Sequence, residues 1–449
     1  MKQRCTRRAA LLAAAALFCL VPPTAARAQE AWRPAPAPLM TRWAKDVSPE
    51  RVRPEYPRPQ FARKEWRSLN GLWQFSLDDK GGVNGGDLPG RILVPFTFES
   101  ALSGIGKGGE VHERVRYRRT FDVPAGWRGR RVRLNFGAVD WEARVSVNGR
   151  EVGSHRGGYT PFSFDITDAL KDGGAGPQVI EVAVYDPADP SKTGWQPKGK
   201  QLGSEGIWYT RTTGIWQSVW LEPVAPVHLA HLDLAPSFAD GGKAGVLRVS
   251  ADLDHTATTP ERGPDATVEL EVMRGGKRVA AGTLLLPGGG GRTPNPTLVR
   301  PFVEMRVADV APWSPESPTI YDVRATLKVG GAVADTVTTY TAFRTAGIAD
   351  GRLTLNGKTY FYRGVLDQGF WPDGIYTPPT DAAIRADVEA VKRLGFNMAR
   401  KHVKVEDPRW YYWCDRLGVA VWQDMPSSHD LSTPEARENF TREWRDLVA

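Results

Sequence analysis

Along "RVRLNFG" the apolar residues Val132, Leu134 and Phe136 alternate with polar ones, and the same alternation returns twice nearby. Val145 and Val147 carry it in "ARVSVNGREVG", and Ile180, Val182 and Val184 carry it in "VIEVAVYD". A strand turns successive side chains to opposite faces, so a period of two predicts strands with one buried face. Asn148-Gly149 supplies residues that accept the left-handed backbone of a tight hairpin turn. No long helical pattern interrupts residues 50–223, which are expected to form a jelly-roll β-sandwich with Gly-rich loops.

Residues 224–345 repeat the theme in shorter runs such as "LRVSADLD", "TVELEVM" and "YDVRATLKV", broken by loops such as "PGGGGRTPNP". They read as an immunoglobulin-like β-sandwich without an obvious chemical group, hence a spacer. From residue 346 the period changes. "KTYFYRGV", "FNMARKH" and "VAVWQDMP" read as strands, and each precedes an amphipathic segment of helical spacing. The first helix has Thr380 or Asp381 as N-cap and Gly395 as its stop, and the second has Pro408 near its first turn. The third has Thr433 as cap and Pro434 at its first position. Three successive βα units predict a parallel sheet, and a (β/α)8 TIM barrel is the host expected after two β domains. Residues 346–449 supply about three of its eight units. The fold class is therefore multidomain, β plus α/β.

A chain of 449 residues has room for about three such domains. Residues 1–28 add an export leader: "MKQRCTRR" is basic, Ala9 to Val21 is an unbroken apolar run, and Ala26-Arg27-Ala28 fits a cleavage site. Cleavage after Ala28 would leave a secreted or periplasmic protein that begins with a Pro-rich lead-in over residues 29–49. The leader also carries Lys2, Arg4, Arg7, Arg8 and Arg27 and no acid, so its loss takes the net charge from +8 to +3. No basic cluster remains to argue for nucleic acid or a membrane surface, and nothing in the sequence sets an oligomeric state. Cys5 and Cys19 leave with the leader, which makes an intramolecular disulfide impossible and Cys414 a small buried apolar residue.

Several motifs fail on context. Gly104, Gly106 and Gly109 spell G-x-G-x-x-G, but "EVHERVRYRR" follows and reads as strand, whereas phosphate binding needs a helix N-terminus there. His228 and His231 stand three apart in a strand-like run and would face opposite ways, and no H-E-x-x-H or G-x-S-x-G occurs. No cofactor or metal ligand set is visible.

Three groups of segments together resemble glycoside hydrolase family 2, the retaining exo-β-glycosidases that include β-galactosidases, β-glucuronidases and β-mannosidases. They are "SLNGLWQF", "VDWEARVSVNGREVGSHRGGYTPFSFDIT" and "GIWQSVWLEP"; then "WSPESPTIYDV"; then "LTLNGKTYFYRGV" and "LGFNMARKHVKVEDPRWYYWCDRLGVAVWQDMP". The resemblance implies a sugar-binding jelly roll, an immunoglobulin-like sandwich and a TIM barrel with the active site at the C-terminal ends of its strands. It further implies that Arg400, His402 and Asp424 line a pocket for a β-linked oligosaccharide or glycoside, with Asp367 as a fourth candidate. The plainer alternative for Arg400 and Asp424 is an ion pair bracing adjacent strands, and for His402 a packing role. After "RGV" and after the third strand, "LDQG" and "QDMP" depart from the pattern of the familiar β-galactosidases, which leaves the sugar open.

The family's acid/base lies in an Asn-Glu dipeptide after strand four and its nucleophilic Glu after strand seven. All eight Asn residues here precede Gly, Phe, Pro or Met, so no catalytic residue is assigned, and both carboxylates are expected beyond Ala449. The chain then reads as the front of an exported glycosidase, inactive alone. Asp367 and Asp424 acting as a substitute pair is a remoter option. The competing reading is a non-catalytic, secreted carbohydrate-binding protein that uses Tyr159, Trp208, Tyr209 and Trp216 of the β domains, against their use as packing.

Overall fold

The computed structural model describes residues 31–78, 88–188, 196–255, 265–287 and 300–448. The leader expected over residues 1–28 and most of the "PGGGGRTPNP" loop lie outside them. The chain divides into two compact units, Met1–Trp32 and Arg33–Ala449, and every described strand and helix belongs to the second.

The first sandwich sets a six-stranded antiparallel sheet against a four-stranded one. The larger sheet runs Gly90–Val94, Gly71–Leu77, Arg114–Phe121, Gln178–Tyr185, Glu142–Val147, Arg150–Arg156. The smaller runs Arg67–Ser68, Val219–Val224, Arg131–Phe136, Phe162–Asp165. Trp73, Tyr117, Val145 and Ile180 from one face meet Leu134, Phe136, Val219 and Leu221 from the other in a single core. The alternation seen in the sequence is the alternation of burial: along Gln178–Tyr185 every second residue is buried. Asn148 and Gly149 both take positive φ and close the hairpin between Val147 and Arg150. Gly104 ends a short 3-10 turn, and the chain past Gly109 enters the strand Arg114–Phe121, so no helix N-terminus faces these glycines.

The second sandwich places Val227–Ala239, Ala244–His255 and Val303–Val307 over a four-stranded sheet ordered Lys277–Leu286, Ala266–Arg274, Tyr321–Val329, Ala332–Thr341. Leu247, Val249, Val268, Val323, Val337 and Phe343 fill its core. His228 is buried, with its ring against Ala225 O and Arg133, while His231 is exposed.

Three parallel strands and three helices follow: β1 (Gly364–Asp367), α1 (Asp381–Arg393), β2 (Met398–Lys401), α2 (Pro408–Leu417), β3 (Ala420–Gln423) and α3 (Pro434–Val448). The run "KTYFYRGV" is not one strand. Lys358–Thr359 pairs back onto Arg352–Leu355, and the Asn397 side chain satisfies the backbone at Phe361 and Arg363 before β1 begins. Thr380 caps α1 through the Ala383 N–H, and Thr433 takes the Ala436 N–H at α3. Asp407 caps α2 ahead of Pro408 by accepting from the Arg409 N–H. Ile384 and Val388 of α1 pack with Trp410 and Cys414 of α2 on Ala399 of β2. Burial pushes the Cys414 thiol well above its ordinary pKa, as suits a core residue. Among the described residues, β1 and β3 each keep one edge without a paired strand.

Candidate functional site

Strand parity decides which side chains can meet. On β2, Ala399 and Lys401 turn toward the helices, with the Lys401 ammonium 4.0 Å from the Trp410 ring centre. Arg400 and His402 therefore project from the other face. The register aligns Leu366, Arg400 and Trp422 across the three strands on that face, and Asp367, Lys401 and Gln423 on the helix side.

On the open face three of the four expected residues come together. Asp424, just past β3, accepts from Arg400 Nε at 3.1 Å and lies 2.9 Å from a second guanidinium nitrogen. His402 Nδ1 lies 3.0 Å from the same carboxylate, and the Asp424 N–H donates to Lys401 O, extending the parallel ladder by one residue. Burial raises the Asp424 pKa, but hydrogen bonds from Arg400 and His402 outweigh it and hold the carboxyl below the usual range. Arg400 is 48% exposed, so its guanidinium is still open to a ligand. The cluster therefore offers an ionised acceptor beside fixed donors, which is what recognition of sugar hydroxyls requires.

Asp367 is not part of this cluster. It belongs to the helix side by register and pairs with the buried Lys401 at 2.8 Å. Lys401 also reaches Glu406 at 3.1 Å, and Lys404 reaches the same carboxylate at 3.0 Å. This buried network was missed in the sequence, although period two puts Lys401 on the face of Ala399, where a charge needs a buried partner.

The first sandwich closes over the strand ends. The N–H groups of Lys198 and Gly199 donate to Ser427 O at 2.9 and 3.0 Å, in the loop after β3. Lys198 is itself anchored: its ammonium lies 2.8 Å from Asp140 and 2.8 Å from Asp186, and Arg211 adds a contact of 2.6 Å to Asp186. Burial alone would raise Asp186, but Lys198 and Arg211 pull it well down.

Of the four aromatics considered for glycan binding, Tyr159 and Trp216 are buried against Tyr376, with Tyr159 hydroxyl 3.1 Å from that of Tyr376 and Trp216 Nε1 donating to Gly158 O. They are packing residues. Trp208 and Tyr209 instead meet the loops past the strands, Trp208 edge-on to His429 and Tyr209 stacked 3.9 Å from Phe370.

The model of the sugar-binding domain of glycosyl hydrolases family 2 matches residues 92–224, and a second model of the same family matches residues 227–344. The chain is 26% identical over 405 residues to a beta-galactosidase of Priestia megaterium, covering 87% of this chain and 36% of that protein. Its fold is similar to that of a beta-glucuronidase of Bacteroides uniformis, with a TM-score of 0.69 at 24% identity, over 86% of this chain and 45% of the other. A beta-glucuronidase of Ruminococcus gnavus gives a TM-score of 0.69 at 18% identity, over 88% of this chain and 66% of the other. The chain spans about a third of the length of the curated relatives it matches. With the two β-domain models matched in order over more than half of its length, the chain belongs to glycosyl hydrolases family 2.

Proposed function

We propose that the chain carries the sugar-recognising part of an exported, retaining exo-β-glycosidase. The observation that carries this reading is the Arg400–Asp424–His402 cluster at the C-terminal ends of parallel strands, where barrel enzymes place their chemistry. In this reading Asp424 accepts from hydroxyls of the glycone while Arg400 donates to them. The relatives named beta-glucuronidase and beta-galactosidase favour β-glucuronides and β-galactosides as substrate classes. The leader pattern at residues 1–28 supports export.

Retaining hydrolysis needs two carboxyl groups about 5–5.5 Å apart, one as acid/base and one as nucleophile. On the pocket face Asp424 is already engaged by Arg400 and His402, and Asp367 lies on the helix side. The reading therefore gives neither Asp367 nor Asp424 a catalytic role and assigns both catalytic carboxylates to units of a (β/α)8 barrel other than the three described. Among the described residues β1 and β3 each keep an unpaired edge, and with Leu366 and Trp422 exposed on the same face this supports further strands beside them.

The test is hydrolysis of aryl β-glucuronides and β-galactosides by the 449-residue chain and by a polypeptide extended through a full barrel. Turnover is expected from the extended protein only. Turnover by the shorter chain that disappears in Asp424→Asn would overturn the assignment of the carboxylates.

A further inference from the structure

Two β-branched residues among those described adopt left-handed backbone, Ile375 at φ 55 and Val403 at φ 49. The other non-glycine residues with positive φ are Asn, Asp or Arg. A branched side chain in this region is strained, and such strain persists only where the surroundings impose it, most often at functional sites. Ile375 lies in the loop after β1, and Val403 directly follows His402 in the loop after β2.

Lys404 joins the two turns. Its buried ammonium donates to Gly369 O at 2.6 Å and Tyr376 O at 3.0 Å in the first loop, and to Glu406 at 3.0 Å in its own. Three acceptors use the three protons of an ammonium. Glu406 holds Lys401 as well and also accepts from the Asp407 N–H, so one carboxylate fixes the turn from both sides of Val403. The sandwich completes the enclosure at Gly199, where a Cβ would lie 2.3 Å from Val403 O.

We infer that Lys404 and Glu406 are positioning residues of the sugar pocket. They lock the left-handed turn at Val403, so that His402 faces Asp424 on one side of the sheet while Lys401 and Lys404 stay buried on the other. This inference rests on the pocket reading above. Neither residue touches the sugar.

The test uses the full chain with histidine labelled at Cε1 with carbon-13, the His402 signal being identified by its loss in His402→Gln. Lys404→Met and Glu406→Gln unlock the turn. Val403→Gly relieves the strain that the lock opposes, so adding it to Lys404→Met or Glu406→Gln removes the need for the lock and keeps the test alive if either single variant does not fold. Arg385→Ala, on the exposed side of α1, is the control. The His402 signal is expected to shift and broaden in Lys404→Met and Glu406→Gln, to return toward the parent position when Val403→Gly is added to either, and not to move in the control. Affinity for methyl β-glucuronide or methyl β-galactoside is expected to weaken about tenfold alongside it. A His402 signal unchanged in folded Lys404→Met or Glu406→Gln, or left displaced when Val403→Gly is added, overturns the lock, whatever the sugar data show. If the unmodified chain binds neither glycoside but His402 still responds, the pocket reading fails and the lock stands.

Discussion

Asp367 and Asp424 leave the same parallel sheet on opposite faces, the first against buried Lys401 at 2.8 Å and the second against Arg400 and His402. Opposite faces argue against the two acting together across one glycosidic bond, as a substitute catalytic pair would have to. Of the two, Asp424 alone lies on the open face beside Arg400 and His402, and its properties can be tested directly.

Asp424→Asn is expected to change stability by no more than about 1 kcal/mol at neutral pH, because the half-exposed Arg400 makes this a partly solvated ion pair. The Asp424 carboxyl titrates below its unfolded value of about 3.9, so its contribution is present above that pH and is lost as the pH falls through the folded pKa. Melting curves of the two proteins should therefore converge below about pH 4. A gap that persists in acid would contradict the charge-based account.

Glu443 on α3 behaves in the opposite sense. Its carboxyl is buried against the first sandwich, where Oε1 accepts the Tyr159 N–H at 2.8 Å. Burial pushes its pKa up to about 8, Asp140 and Asp446 adding to the rise and Arg442 opposing it. The folded state holds the proton through the range in which the unfolded chain, at about 4.3, has released it. Stability is full below about pH 4 and falls toward pH 8 by up to about 1.4 kcal/mol per pH unit. Glu443→Gln should remove that slope and melt higher than the parent at pH 8, with no difference near pH 4. Equal melting at pH 8 would show that the carboxyl ionises at no cost.

Lys198→Met strands Asp140, whose carboxylate keeps among the described residues only the Gln201 amide at 3.0 Å, while Asp186 retains Arg211. Breaking a buried pair on one side costs about 3–5 kcal/mol. Denaturant titration should show that loss, and the double variant Lys198→Met with Asp140→Asn should recover most of it. No recovery would mean that the ammonium acts through packing rather than charge.

The sandwiches were legible because their strands write burial directly into period two, as along Gln178–Tyr185. The βα units were legible through their caps, Thr380 and Thr433, and through Pro408. The grouping of Arg400, His402 and Asp424 followed from family resemblance and is what strand register produces. Asp367 was grouped with them because it shares their position at a strand end, and end position does not reveal which face a residue takes. Register does, and it pairs Asp367 with Lys401. The parity of Lys401 signals that it has a buried partner, but its contact with Asp367 and those of Lys404 with Gly369 and Tyr376 join separate loops, and neither they nor the left-handed turn at Val403 leave a local mark in the sequence.

The most direct measurement is calorimetric titration of the intact chain and of Asp424→Asn with methyl β-glucuronide and methyl β-galactoside. The account predicts saturable heat with at least one of them for the parent, and affinity lower by about tenfold or more in the variant. Equal binding by both proteins, or no heat from the parent with either sugar, would contradict a sugar site built on Arg400, His402 and Asp424.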